Sequence, residues 1–328
     1  MNRRGRREDG GLEADPLRSS ASSAVNVVFV AAALACAACR PAEVPAARQD
    51  SRVVTDGLGR SVAVPAEPRR IVSLAPSGTE ILFAIGAGPR VVARDDHSDF
   101  PLEARPLPAV GTSGGKLDRE RIVALSPDLV LAAEINSSEQ VTALAGLGLT
   151  VFRLDNPRGF DGLQENVRFV GRLVGCEETA SRLAESMGER VRAVARKIDA
   201  VSARPLVFYE IDASDPSRPW TAGPGTFLDT LITLAGGENF GAAYDTQFPR
   251  ASTEEILLRD PAVIVLGDAR FGTTPDSVRR RSGWDRIAAV RGGRIHSFDD
   301  DLATRPGPRL VDGLETLAAL LHPERFRR

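Results

Sequence analysis

The chain has 328 residues, of which 42% are hydrophobic, and a formal net charge of −2 at pH 7. This hydrophobic content is typical of a folded globular protein, and the nearly balanced charge gives no electrostatic basis for binding nucleic acid. The three histidines, His97, His296 and His322, are too few and too scattered for a histidine-rich transition-metal site.

The first 50 residues differ in composition from the rest and predict an export signal. Residues 24–39 form an apolar stretch of signal-peptide length, too short and too rich in alanine for a membrane span. Small residues precede both Cys36 and Cys39, as at a bacterial lipoprotein cleavage site, so we expect one of them to carry a lipid anchor. An ordinary secretion signal with incidental cysteines is the alternative. The segment rich in Pro and Ala that follows predicts a flexible tether.

In the rest of the chain, two sequence segments each occur twice, in the same order. A loop, a helix and a glycine stop occupy residues 69–88 (RRIVSLAPSGTEILFAIGAG) and again residues 218–237 (RPWTAGPGTFLDTLITLAGG). A helix end, a turn with Pro and Asp and an apolar strand occupy residues 120–132 (ERIVALSPDLVLA) and 254–266 (EEILLRDPAVIVL). A duplicated unit predicts two similar lobes with a binding cleft between them.

Strands alternate with helices in both predicted lobes, which predicts an α/β fold with parallel sheets covered by helices. Ser77 or Thr79 is expected to cap the helix that follows the first parallel strand. In chain order, the predicted elements are a hairpin at 51–64, strands at 71–74, 91–93, 130–132, 151–152, 206–209, 263–266 and 294–298, and helices after residue 78, at 139–147 and at 309–321.

One long helix is predicted at about residues 177–201, between the two repeats. Its apolar residues recur every three or four positions and no proline interrupts it. Gly175 closes the preceding helix and Pro205 bars continuation. We interpret it as a strut between lobes, since the heptads are too few for a coiled-coil dimer. The expected division is a signal and tether at 1–50, an N-terminal lobe at 51–158, a connecting region at 159–203 and a C-terminal lobe at 204–328.

Motifs for catalysis or nucleotide binding do not occur in the sequence. The turn at residues 223–225 resembles a dinucleotide loop only faintly, because Pro224 has no N–H to offer a pyrophosphate. Ser77 lies in Ala-Pro-Ser-Gly-Thr and not in a Gly-x-Ser-x-Gly nucleophile elbow. We therefore predict a protein that is not an enzyme.

Five segments together resemble the helical-backbone (class III) periplasmic substrate-binding proteins of ABC importers for cobalamin, haem and iron–siderophores. The segments are 68–88, 95–101, 117–132, 219–240 and 305–324. The resemblance covers about residues 53–324, and the cobalamin-binding branch is the most similar. It implies two Rossmann-like lobes joined by one long backbone helix, with modest lobe closure. It also implies an exported monomer, periplasmic or anchored at the cell surface, without a cofactor, which passes a corrinoid such as cobalamin to a permease and its ATPase.

The resemblance also implies a docking role for Glu80 and Glu254, each of which follows a threonine in its lobe. In the family each lobe presents one such carboxylate to arginines of the permease. A carboxylate in the first turn of a helix is stabilised by the helix dipole and can form charge-assisted pairs with arginine. Simple helix N-terminal charge is the alternative explanation.

Ligand residues are expected on the loops at the carboxyl ends of the strands. A corrin has apolar faces and peripheral amides, so aromatic walls and a few polar donors suit it. Trp220 is the first aromatic candidate. The candidate ligand residues are Ser77, His97, Phe100, Ser113, Gly114, Tyr209, Trp220, Tyr244, Phe248, Arg270, Leu302 and Arg305.

Three positions depart from the cobalamin-binding pattern. Gly114 and Leu302 stand where an aromatic residue is frequent, and His97 could be an axial ligand to bound cobalt or haem iron. Haem or a ferric siderophore is therefore the alternative ligand, which metal coordination by His97, Tyr209 or Tyr244 would favour. An extracellular enzyme on the same fold and a sensing module without a permease are alternatives of other classes.

Overall fold

A computed structural model describes residues 50–326 of the chain. The predicted lipidation sites Cys36 and Cys39 lie outside the described residues. Among residues 50–326, no helix is both long enough and apolar enough to cross a membrane.

The described chain folds into two α/β lobes with two helices between their sheets in sequence. The N-terminal lobe contains β1 (Ser51–Thr55), β2 (Ser61–Pro65), β3 (Ile71–Ser73), α1 (Pro76–Ala84), β4 (Val91–Arg94), α2 (Arg119–Ala124), β5 (Leu129–Ala133), α3 (Ser138–Gly146) and β6 (Val151–Leu154). The connecting helices are α4 (Gly159–Val174) and α5 (Glu177–Ile198). The C-terminal lobe contains β7 (Leu206–Glu210), α6 (Phe227–Leu234), β8 (Glu238–Asn239), α7 (Thr253–Arg259), β9 (Val263–Leu266), α8 (Pro275–Arg279), α9 (Ala288–Arg291), β10 (Ile295–Ser297), α10 (Asp301–Thr304), α11 (Leu310–Leu321) and α12 (Pro323–Phe326).

The two sheets have the same topology. The strand order is β4-β3-β5-β6 in one lobe and β8-β7-β9-β10 in the other, and every pair within them is parallel. When the parallel strands of each lobe are numbered in chain order, both sheets have the spatial order second, first, third, fourth. The two repeats also share a backbone conformation. Ser126 and Asp260, each followed by proline, both adopt a positive φ, of 46° and 44°. The predicted α/β fold class with two lobes and central parallel sheets is confirmed.

Apolar side chains on both faces of each sheet explain why these strands are buried. All four residues of β9 and all five of β5 are buried, as expected for parallel strands covered by helices. Alternate residues of the sheets then fall into different apolar clusters. One cluster covers a face of the N-terminal sheet, a second covers a face of the C-terminal sheet, and a third runs from the first sheet through α4 and α5 to α6 and α11. The two lobes therefore share a continuous core on the side of the connecting helices.

The connecting helices lie side by side. Gly175 ends α4 with a left-handed φ of 70°, and α5 then runs 22 residues, ending at Ile198, short of the predicted 201. This length spans about 33 Å at roughly 1.5 Å per residue. At Gly171 a Cβ atom would lie 2.2 Å from the Cβ of Ala180, so glycine permits the close approach of α4 and α5. Besides α4, helix α5 packs against α6 and α11 of the C-terminal lobe.

The predicted cap of α1 is wrong. The helix begins after Ala75 without a side-chain cap, and Pro76 occupies its first turn. Proline suits this position, because its fixed φ is helical and its missing N–H would have no partner inside the helix. The Thr79 hydroxyl points into the lobe, where its oxygen lies 2.8 Å from the hydroxyl oxygens of Ser73 and Ser98.

Candidate functional site

A cavity of about 690 Å³ lies between the carboxyl-end loops of the two sheets. This volume falls within the usual range for ligand sites of roughly 300 to 1,000 Å³. Both lobes line it, the N-terminal lobe with the loop after β6 and the C-terminal lobe with the loops before α6 and α7. The side chains at the cavity include Glu134, Arg153, Asp155, Asn156, Arg158, Thr226, Phe227, Gln247, Phe248 and Thr304.

The N-terminal wall of the cavity is built around Arg153. One guanidinium nitrogen, Nη2, donates to the Gly57 carbonyl at 2.9 Å and to Asp155 Oδ1 at 2.8 Å. The buried Nε of Arg153 has no hydrogen-bond partner among the described residues. A buried donor without a partner is costly, and because this Nε atom is itself enclosed, it is not open to a ligand in this conformation.

Further polar groups surround this arginine. Glu134 accepts a hydrogen bond from the Asn156 backbone N–H at 2.9 Å, which holds the loop after β6 in place. Arg158 is exposed and precedes α4, whose N-terminus has no side-chain cap. Across the cavity, the Gln247 amide donates to the Gly225 carbonyl at 3.3 Å. The cavity can therefore offer donors and acceptors from both lobes to one ligand.

Phe248 is the predicted ligand residue that lines this cavity. Its side chain is 54% exposed, which leaves an apolar surface available to a ligand. Two other strand-end loops carry exposed apolar side chains, Ile135 after β5 and Phe271 after β9. The apolar surface expected for binding a flat ring is thus present on these strand-end loops.

Tyr209 belongs to the core of the C-terminal lobe in this structure, and its ligand role stays a prediction. It is fully buried on β7, packs edge-on against Phe298 and donates its hydroxyl to Asp300 Oδ1 at 2.9 Å. Burial raises the pKa of Tyr209 well above its usual value, and the nearby Asp300 carboxylate adds to the effect. The alternation of a strand placed this tyrosine on the face that packs against helices.

Tyr244 and Trp220 are held by contacts within the C-terminal lobe. The Tyr244 hydroxyl donates to Glu255 Oε2 at 2.5 Å, and burial and this carboxylate raise its pKa. The half-buried Trp220 lies in an extended segment bridged to Asp212 and Arg250, with the Arg250 guanidinium 4.5 Å from its ring centroid. Neither residue lines the cavity, so their ligand roles stay predictions.

The N-terminal candidates are spread over three loops. Ser77 and Ser113 are buried, and the Ser113 carbonyl accepts a hydrogen bond from the Asn136 amide at 2.9 Å. Gly114 is exposed beside Ile135. His97 is exposed, and its backbone N–H donates to Asp95 Oδ2. Among the described residues, no group of three His, Cys, Asp or Glu side chains is placed to hold a metal ion, and axial ligation by His97 stays a prediction.

Arg305 forms an ion pair between the lobes. Its guanidinium lies 2.6 Å from Asp99 in the N-terminal lobe and 3.0 Å from Asp301 in its own lobe. Burial alone would raise the pKa of Asp99, but the hydrogen bond and charge of Arg305 lower it below the usual value. Arg270 also pairs with Asp301, and Leu302 packs against the shared core. Arg270, Leu302 and Arg305 do not line the cavity, so their ligand roles stay predictions.

The two predicted docking glutamates have different surroundings. Glu254 is exposed in the first turn of α7. The Glu80 side chain is only 2% exposed, and both of its carboxylate oxygens accept hydrogen bonds from Arg309, at 2.6 and 3.1 Å. Burial raises the pKa of Glu80, and the Arg309 hydrogen bonds offset part of this rise. The Glu80 carboxylate is therefore paired in this structure, and the docking role of both glutamates stays a prediction.

Sequence reasoning missed the polar residues Arg153, Arg158, Gln247 and Arg309. Arg309 lies in the segment 305–324 that carries the family resemblance, but no local pattern marks its partner, which is 229 residues away. Arg153 and Arg158 flank the end of β6, so the rule that ligands lie beyond strand ends could have found them.

Comparison with known proteins agrees with this architecture. A family model described as periplasmic binding protein matches residues 71–302. The ABC transporter substrate-binding lipoprotein YvrC of Bacillus subtilis is 31% identical over 84% of this chain and 86% of its own length. A cobalamin-binding protein of Halobacterium salinarum is 32% identical over 81% of this chain and 73% of its own.

A solved structure with the same architecture is the periplasmic haem-binding protein RhuT of Roseiflexus sp. RS-1 in its apo form. It is 28% identical, with a TM-score of 0.71, over 78% of this chain and 99% of that one. The duplicated lobes, the shared core and these matches together place the chain in the class III periplasmic binding proteins of ABC transporters.

Proposed function

We propose that this substrate-binding protein captures a corrinoid in the cavity between its lobes, delivers it to a permease and has no enzymatic activity. The observation that carries the proposal is the composition of the cavity wall. It combines an exposed phenylalanine, Phe248, with charged and amide groups from both lobes, including Arg158 and Gln247. A corrin ring with peripheral amides presents the complementary surface. The cobalamin-binding relative from Halobacterium salinarum supports the same ligand class.

The cavity also bears on the alternative ligand, haem. Proteins hold haem iron through His, Cys, Met or Tyr side chains, and none of these residue types is among those lining the cavity. A corrinoid with its own axial base does not need such a residue. The likeness to the haem-binding RhuT keeps haem as the second candidate, with His97 as its axial ligand after a movement of the exposed loop.

The protein is proposed to act as a monomer, tethered to the membrane through a lipid on Cys36 or Cys39. The lipoprotein YvrC, which is similar over most of the chain, supports this anchoring. Glu254 is proposed to dock to an arginine of the permease, since it offers an exposed carboxylate at a helix start. Glu80 is proposed to dock in the same way when it is free of Arg309.

Titration of residues 51–328 with cyanocobalamin, cobinamide and haemin, followed by heat and absorbance, tests the ligand. We expect one-to-one corrinoid binding that is weakened by Phe248→Ala. Phe271→Ala is the matched control, because Phe271 is a more exposed phenylalanine that does not line the cavity. Binding of haemin alone, with a shifted Soret band, would overturn the corrinoid proposal.

Uptake by cells carrying Glu254→Lys tests the docking proposal separately. We expect import to fall while the affinity of the purified protein for its ligand stays the same. Glu255→Lys is the control. Glu255 is the next residue in the chain, but its carboxylate already accepts the hydrogen bond of Tyr244 and is therefore not free to dock. Normal import by the Glu254 variant would refute its docking role.

A further inference from the structure

Two ion pairs join the lobes through one segment of the C-terminal lobe, residues 305–309. At its end, Arg309 donates through Nη2 and Nε to both carboxylate oxygens of Glu80 on α1, at 2.6 and 3.1 Å. At its start, Arg305 Nη1 donates to Asp99 Oδ1, in the loop after β4, at 2.6 Å. Hydrogen bonds between arginine and a carboxylate are strong, and bidentate pairs are also directional. Segment 305–309 is therefore held on the N-terminal lobe at both of its ends.

Both arginines of the segment are largely enclosed. The Arg309 guanidinium lies 3.9 Å from the ring centroid of Phe100 in the N-terminal lobe, and 14% of its side chain is exposed. The side chain of Arg305 is 11% exposed. Between them, the backbone of Gly307 approaches so closely that a Cβ atom there would lie 2.9 Å from Glu80 Oε2. Because salt screens partly buried pairs much less than exposed ones, these contacts can restrain the lobes in solution.

The same stretch of chain contributes to the wall of the cavity. Thr304 and Pro306 line the cavity, and Arg305 between them pairs with Asp99. Glu80 and Asp99 themselves do not line it. Both carboxylates therefore bear on the cavity only through the segment that they hold.

The lobes are also joined at a second place. They share an apolar core beside the connecting helices α4 and α5. Apolar contacts of this kind are not directional, whereas the two ion pairs fix particular atoms of one lobe against particular atoms of the other. The pairs thus define the spacing of the lobes at the cavity.

We propose that Glu80 and Asp99 are positioning residues for the ligand, which act through segment 305–309 to hold the two walls of the cavity at binding distance before a ligand arrives. The proposal rests on the proposed function, in which the ligand binds between the lobes. A cavity that is already formed avoids the entropic cost of ordering the lobes during binding. Without the pairs the lobes take up wider spacings, only a fraction of the molecules is ready to bind, and the affinity falls by that fraction.

Distance measurement by electron paramagnetic resonance on the ligand-free chain tests the restraint. Spin labels are attached to Leu147→Cys after α3 and Leu258→Cys on α7, both exposed and in different lobes, in a Cys176→Ser background. We expect one narrow distribution of distances in this chain. The double variant Glu80→Gln/Asp99→Asn, which keeps the side-chain shapes and removes both charges, should give a broader distribution that extends to longer distances. An equally narrow distribution in the double variant would overturn the proposal.

Asp276→Asn is the matched control. It removes an ion pair with Arg279 that lies within α8, inside one lobe, and should leave the distances unchanged. Equal broadening in the control and in the double variant would mean that loss of any ion pair loosens the chain, and would also overturn the proposal. Asp99→Asn alone serves if the double variant fails to fold, because the Asp99 side chain is 41% exposed, and it should broaden the distribution less.

Stopped-flow binding of cyanocobalamin to the same chains tests the consequence for the ligand. We expect the double variant to bind about tenfold more weakly, within the usual range of coupling free energies, mainly through slower association, while Asp276→Asn binds like the unchanged chain. A role in stability alone would lower the melting temperature and leave the association rate of the folded molecules as it is. Wider distances with unchanged or tighter binding would overturn the positioning role. Failure of the unchanged chain to bind cyanocobalamin would instead refute the corrinoid proposal, and the distances alone would then decide whether the pairs hold the lobes, so the two failures are distinguishable.

Discussion

The dipeptide Thr-Glu occurs in a helix of each lobe, as Thr79-Glu80 within α1 and as Thr253-Glu254 in the first turn of α7, and its surroundings differ. The two are not matching positions of the repeat, in which Glu254 corresponds to Glu120. In the N-terminal lobe both side chains are buried, the threonine among other hydroxyls and the glutamate under Arg309. In the C-terminal lobe Glu254 is exposed, and the Thr253 hydroxyl donates to the Ser217 carbonyl at 3.2 Å. The same dipeptide in a helix therefore does not determine the surroundings of its side chains.

The cause of the difference is what lies against each glutamate. Glu254 lies in the first turn of α7, beside the cap in which the Ser252 hydroxyl accepts from the Glu255 backbone N–H. Glu80 lies deeper in α1 and is covered by Arg309 of the opposite lobe. The two side chains thus differ because one lobe contributes a residue to the surface of the other.

The largest expected difference is between the free energies of unfolding of Glu80→Ala and Glu254→Ala. Loss of Glu80 leaves the Arg309 guanidinium enclosed without its partner, which typically lowers the free energy of unfolding by about 3 to 5 kcal/mol. Replacement of the exposed Glu254 should change it by no more than about 0.5 kcal/mol. Urea unfolding of the two variants at neutral pH measures both values.

Arg309→Met provides a further test of this reading of the pair. It leaves Glu80 covered without a cation and should also destabilise strongly, whereas the double variant Glu80→Leu/Arg309→Met should recover much of the loss. If Glu80→Ala costs no more free energy of unfolding than Glu254→Ala, the ion pair contributes nothing to stability, and the two glutamates differ only in where they lie.

Much of this architecture could be predicted because it depends on local patterns. The spacing of apolar residues predicts α5, Gly175 ends α4 as expected, and the repeated phrases predict two sheets of one topology. Pro76 was visible too, but the predicted cap at Ser77 or Thr79 overlooked that proline at the first position makes a side-chain cap dispensable.

The site was less predictable, because burial depends on residues distant in sequence. Tyr209 lies on β7, whose side chains alternate between the two faces of the sheet, yet sequence alone does not say which face packs against helices. The covering of Glu80 depends on Arg309, and the cavity wall depends on Arg153, whose partner Gly57 lies in the turn between β1 and β2. Each of these contacts joins residues more than ninety positions apart.

The threonines give the next largest difference. In Thr79→Val the hydroxyls of Ser73 and Ser98 each lose a buried neighbour at 2.8 Å but keep the Ala75 carbonyl and the Asp95 carboxylate as acceptors. We expect a cost of about 0.5 to 1.5 kcal/mol, the usual net value of a hydrogen bond. Thr253→Val removes an exposed hydrogen bond and should cost no more than about 0.5 kcal/mol. Thermal unfolding of both variants measures the difference, and equal costs would show that the buried hydroxyl contacts of Thr79 add nothing to stability.

The smallest effect is expected for Asp99→Asn, which removes the more exposed pair between the lobes. The Asp99 side chain is 41% exposed, so screening limits its contribution to about 0.5 to 1 kcal/mol.

The pKa of Asp99 gives the direction in which this contribution changes with pH. Arg305 lowers the pKa of Asp99 below its usual 3.8 despite the opposing effect of burial, so below that value the unfolded chain binds more protons than the folded one. The stability advantage of the unchanged chain over Asp99→Asn should therefore be full at neutral pH and disappear as the pH falls below 3.8, through the lowered pKa of the folded protein. Urea unfolding of both chains at neutral and at acidic pH measures this, and an advantage that does not vary with pH would mean that the Asp99 carboxylate does not form its ion pair with Arg305 in solution.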